Sequence, residues 1–65
     1  MKIEVNGEQH DVAATNVGEA LAELGLGEAR VATALNGIFV SAAARDGTAL
    51  SPFDRLEVLT AMQGG

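Results

Sequence analysis

Lys2-Ile3-Glu4-Val5-Asn6-Gly7-Glu8-Gln9-His10-Asp11-Val12 reads as two short strands joined by a tight turn. Lys2 to Val5 alternates polar and apolar residues, the period of a strand with one buried face. Asn6-Gly7 supplies two residues that tolerate the positive φ of a type I′ turn, whose twist suits the strands on either side. Glu8 to Val12 is then the returning strand. A hairpin therefore opens the chain, and something downstream must cover its apolar face.

The next segment provides the cover. Asn16-Val17-Gly18-Glu19 has the form of a capping box, with the Asn side chain available to the first free N–H groups and Glu reaching back. Val17, Ala20, Leu21 and Leu24 follow at helical spacing and make one apolar stripe. Gly25 suits a left-handed helix cap, and Gly27 begins a linker. The helix is short, so docking on the sheet must supply most of its stability.

A second hairpin comes next. Val31 to Leu35 is a third strand, Asn36-Gly37 repeats the turn signal, and Ile38-Phe39-Val40 is a fourth strand. Ser41 to Ser51 reads as an irregular crossover with room for one helical turn. Pro52 favours a turn before the final strand, in which Leu56, Val58 and Thr60 alternate with Arg55, Glu57 and Leu59. Ala61 to Gly65 is expected to be a flexible tail ending in Gly64-Gly65. Hairpin, helix, hairpin, crossover and strand give an α+β class, a five-stranded mixed sheet packed on one helix. That is the β-grasp, or ubiquitin-like, architecture, spanning residues 1–65 as a single domain with 61–65 as its tail.

Composition excludes several functions. The sequence has no Cys and one His, His10, which removes disulfides, thiol nucleophiles and most His- or Cys-based metal sites. A net charge of −5 argues against nucleic-acid binding, which needs clustered cations. No apolar run approaches the ~20 residues of a membrane span, and Met1-Lys2 leads directly into a strand pattern, so a cytoplasmic protein is expected. Only Phe39 and Phe53 are aromatic, leaving an aliphatic, alanine-rich core. No convergent catalytic set is visible, and an enzyme is not expected.

Across essentially its whole length the chain resembles the ThiS family of sulfur carrier proteins. The segments that carry the likeness are Ile3-Glu4-Val5-Asn6-Gly7, Val17-Gly18-Glu19-Ala20-Leu21, Val31-Ala32-Thr33-Ala34-Leu35-Asn36-Gly37, Asp54-Arg55-Leu56-Glu57-Val58-Leu59 and Gln63-Gly64-Gly65. Two departures stand out. ThiS-like chains often have glycine where this one has Phe53, and Pro with a basic residue where it has Ser41-Ala42-Ala43. The resemblance implies that a ThiF-type adenylyltransferase uses Mg-ATP to activate the Gly65 carboxylate. Sulfur from a cysteine desulfurase relay then gives a thiocarboxylate, and a ThiG-type thiazole synthase takes that sulfur for thiamine. The carrier itself would bind no cofactor and no metal.

The tail chemistry is consistent with the residues. A carboxylate is anionic with a poor leaving group, and adenylation corrects both defects without help from the carrier. Residues 61–65 reach at most ~17 Å when extended, enough to enter a cleft while the body docks outside. Met62, Gln63 and Gly64 lead to Gly65, and side chains at the last two positions would add bulk in a close channel. If Leu56, Val58 and Thr60 face the helix, Leu59 and Ala61 lie on the open face with Ala32 and Ala34, an apolar patch suited to a partner. Phe53 is a further exposed anchor candidate. Phe39 is expected in core or edge packing, His10 in solvent, and Glu19, Glu23 and Glu28 on a solvated face. Three rivals remain: a MoaD-like carrier for molybdenum cofactor synthesis, a ubiquitin-like protein modifier, and a non-covalent binding module with an idle tail.

Overall fold

The computed structural model describes residues 1–27 and 30–60. Strands β1 (Lys2–Val5) and β2 (Glu8–Asp11) form the first hairpin, with Lys2 opposite Asp11 and Val5 opposite Glu8. Asn6 and Gly7 hold φ of 50° and 85°, as the turn requires. β2 stops one residue earlier than the alternation suggests. Val12 still continues the ladder, its N–H donating to the Met1 carbonyl at 2.8 Å and its carbonyl accepting from the Met1 amine at 2.7 Å, with its side chain buried.

Helix α1 (Val17–Glu23) starts at Asn16, whose Oδ1 accepts from the Glu19 N–H at 2.8 Å. Val17, Ala20 and Leu21 are buried against the sheet, and the chain leaves the helix through Gly25 at φ 81°. Strands β3 (Val31–Leu35) and β4 (Ile38–Val40) form the second hairpin around Asn36 and Gly37, with φ of 52° and 85°. A 3-10 helix over Ala42–Gly47 occupies the crossover, and β5 (Arg55–Thr60) follows.

The sheet order is β2-β1-β5-β3-β4. β5 lies in the middle, parallel to β1 and antiparallel to β3. With α1 on one face, this is the expected β-grasp arrangement. Its core is aliphatic throughout: Ile3, Val5, Val12, Ala14, Val17, Ala20, Leu21, Leu50, Leu56 and Val58. Among the described residues, no helix is long and apolar enough to cross a membrane.

Both Asn-Gly turns grip β5. Asn6 Nδ2 donates to the Val58 carbonyl at 2.9 Å, and Asn6 Oδ1 accepts from the Val58 N–H at 2.8 Å. The carboxamide thus adds a rung beyond the end of β1. On the other flank, Asn36 Oδ1 accepts from the Arg55 N–H at 2.9 Å, and Asn36 Nδ2 donates to Asp54 Oδ1 at 3.1 Å.

Glu19 and Glu23 are exposed, as expected of a solvated face, and their carboxylates also take backbone donors. Glu23 accepts from the Ala13 and Ala14 N–H groups, each at 3.0 Å, and Glu19 Oε1 accepts from the Thr15 N–H at 2.9 Å. The segment entering α1 has no strand to pair with, so these carboxylates take its backbone donors. Glu28 lies outside the described residues.

Candidate functional site

β5 carries the site because it is the strand that runs to the tail. Its side chains alternate across the sheet: Leu56 and Val58 point into the core, while Arg55, Glu57 and Leu59 point to the face that α1 leaves open. Thr60 does not follow Leu56 and Val58 into the core. It is exposed, since the helix-side cover ends before the end of the strand.

The register then assembles a surface. Leu59 sits opposite Ala32, Glu57 opposite Ala34, and Ala34 opposite Phe39. Leu59, Ala32, Ala34 and Phe39 therefore share the open face of three adjacent strands. Leu59 is 69% exposed and Phe39 71%. The two alanines between these larger side chains leave a shallow hollow of about 150 Å³.

Phe39 was expected in core or edge packing, and the structure corrects this. The two-residue turn fixes Leu35 opposite Ile38, which places Phe39 beside Ala34 on the open face. The same parity was available in the sequence once the turn had been recognised. Ile38, on the other side of β4, is 72% exposed at the sheet's edge.

Next to the patch, where β5 ends, lies a groove of about 500 Å³ lined by Arg30, Ala42, Arg45, Leu59 and Thr60 among others. The chain has only four Lys and Arg residues, and two of them border this groove. Arg45 is held there. Its Nη2 donates to the Val31 carbonyl at 2.6 Å and its Nε to Thr33 Oγ1 at 3.3 Å. β4 pairs with β3 only from Thr33 to Leu35, so Arg45 serves the part of β3 that β4 does not reach. Thr33, 2% exposed, donates in turn to the Val40 carbonyl at 2.7 Å. The result is a cationic rim beside an apolar patch on an otherwise acidic molecule.

Other proposed contacts fall elsewhere. Phe53 is exposed, but it precedes β5 by two residues while Leu59 is near its end, about 20 Å away along an extended strand. The structure does not bring it to the patch. Ala61, Met62, Gln63, Gly64 and Gly65 lie outside the described residues. His10 is half-buried rather than solvated and sits on the edge strand β2, with Nε2 3.8 Å from Glu8 Oε1. Among the described residues no group of three or more His, Asp or Glu side chains is placed to hold a metal ion. The Glu19 carboxyl lies below its ordinary 4.5, because the Thr15 N–H and then the Thr15 hydroxyl donate to its ionised form.

The ThiS family model matches residues 3–65. The crystal structure of a thiamine biosynthesis protein (ThiS) from Geobacter metallireducens is similar at a TM-score of 0.83 and 35% identity, covering 100% of both chains. A solution NMR structure of a thiamine biosynthesis protein from the same organism has a TM-score of 0.78 at 35% identity, covering 100% of this chain and 88% of that one. No curated protein matches the chain.

Proposed function

The chain belongs to the ThiS family, and from that premise we propose that it is a sulfur carrier of thiamine biosynthesis whose working group is the Gly65 carboxylate. The observation that carries this reading is the extent of the match, which runs through Gln63-Gly64-Gly65 to the last residue. In the proposed sequence a carboxylate oxygen of Gly65 attacks the α-phosphorus of Mg-ATP in a ThiF-type enzyme and expels pyrophosphate. A persulfide supplied through a cysteine desulfurase relay then attacks the acyl carbon and expels AMP. A second thiol attacks the relay-side sulfur of the resulting acyl disulfide, becoming part of a disulfide as the S–S bond to the acyl sulfur breaks. The thiocarboxylate left on Gly65 is the donor for a ThiG-type thiazole synthase. Mg-ATP is the partner's substrate, and the carrier supplies the acyl group and a surface to hold.

The described residues support the second role. Leu59, Ala32 and Ala34, joined by Phe39, offer an apolar contact beside the end of β5. A partner seated there would place residues 61–65, at most ~17 Å long, within reach of its own active site. ThiS-like chains often carry Pro and a basic residue after the fourth strand, where this chain has Ser41-Ala42-Ala43. Arg45 borders the same groove, and we read it as the replacement cation.

The test is the intact mass of the protein after incubation with Mg-ATP, a ThiF-type enzyme and a sulfur source, beside a copy lacking Gly65. Exchange of one oxygen for sulfur in the full chain alone is the expected result. An unchanged mass with a demonstrably active enzyme would overturn the reading and favour a protein modifier or a binding module.

A further inference from the structure

We propose that Asn6-Gly7 and Asn36-Gly37 are latent deamidation sites which the native fold holds shut, and whose reaction unfastens β5. Three observations carry this. Each pair is an Asn followed by Gly, and a Cβ built on Gly7 or Gly37 would meet nothing within 4 Å, so both glycines stand in open space. Each Asn holds φ near +50° within its turn, with its carboxamide engaged at both ends. Both carboxamides are bonded to β5 or the residue before it: Asn6 to Val58, and Asn36 to Asp54 and Arg55.

The chemistry needs only water. The Gly7 backbone nitrogen loses its proton and attacks Asn6 Cγ; the Cγ–Nδ2 bond breaks and ammonia leaves, giving a cyclic succinimide. Water then opens either carbonyl to yield aspartate or isoaspartate. The net change is –NH2 to –OH with one added negative charge, and nothing is oxidised or reduced. In the native turn Asn6 must first release Val58 before Cγ can meet the Gly7 nitrogen, so a local opening gates the reaction.

The product cannot restore the latch. An ionised carboxylate at position 6 has no donor for the Val58 carbonyl, which lies 2.9 Å from the present Nδ2. At position 36 the new carboxylate would face Asp54 Oδ1 across the 3.1 Å now spanned by an N–H donor. Isoaspartate also lengthens the backbone within a two-residue turn. Each outcome loosens the strand that carries the tail.

The whole chain, aged in mildly alkaline buffer with and without urea and followed by intact mass and peptide mapping, provides the first measurement. Deamidation mapped to Asn6 and Asn36, about tenfold or more faster in urea, is expected. Equal rates in the two conditions, no reaction in urea, or reaction confined to other residues would overturn the proposal. Deamidated protein separated by its added charge provides the second. Amide exchange in β5 about tenfold or more faster than in the parent is expected, and unchanged exchange there would overturn the latch.

Discussion

Phe53 holds φ at +68° while leaving 71% of its surface exposed. It occupies the third place of the turn Ser51–Asp54, closed by the Asp54 N–H donating to the Ser51 carbonyl at 3.1 Å, with Pro52 before it. Pro followed by a positive φ is the pattern of a type II turn, whose third residue is ordinarily glycine. Phe53→Gly should therefore raise stability by about 1 kcal/mol, since the strain goes and little burial is lost. A urea midpoint that stays put or falls would show that the ring makes compensating contacts. Glu19 supplies a second prediction. Its folded pKa is depressed, so its contribution to stability is complete above the ordinary 4.5 and is lost as pH falls through the lower folded value. Thermal midpoints followed across that window should decline less in Glu19→Gln than in the parent; parallel curves would deny the linkage. Thr33→Val would leave the Val40 carbonyl without its hydroxyl donor and cost about 1–3 kcal/mol by denaturant unfolding.

At the scale of elements, the entry to α1 depends on the helix that follows it. Glu23→Ala removes the acceptor for two backbone N–H groups and should cost about 1 kcal/mol, with exchange at Ala13 and Ala14 accelerated. Exchange unchanged at both would mean that water serves them equally well. Every strand was legible in the sequence because its signals are local: two Asn-Gly turns, a capping Asn, a Pro before β5. What escaped depends on partners distant along the chain. Nothing near Arg45 announces that it will bond to Val31, and nothing near Glu23 announces a bond to Ala13. The patch was half legible: Leu59, Ala32 and Ala34 follow from parity in β5 and β3, whereas Phe39 needed the pairing of β4 as well.

Across the whole molecule, charge is unevenly spread. Residues 31–44 contain no charged side chain in a chain that is 20% charged, and they supply β3, β4 and most of the apolar patch. Among the described residues that line the hollow, Glu57 is the one carboxylate, so a partner seated there desolvates little charge. Leu59→Glu should leave stability within about 0.5 kcal/mol, because the side chain is already exposed. The same change should lower kcat/KM for adenylation by about tenfold or more, as removal of a central apolar contact does. A loss of activity matched by unfolding would remove the docking argument. The position of β5 has a mechanical consequence. Tension applied to the tail acts along the axis of β5, which is flanked by β1 on one side and β3 on the other. With the opposing anchor at the start of the parallel neighbour β1, the rungs between these strands share the load in shear instead of parting one by one. A pull between the start of β1 and the end of β5 is therefore resisted by several rungs at once.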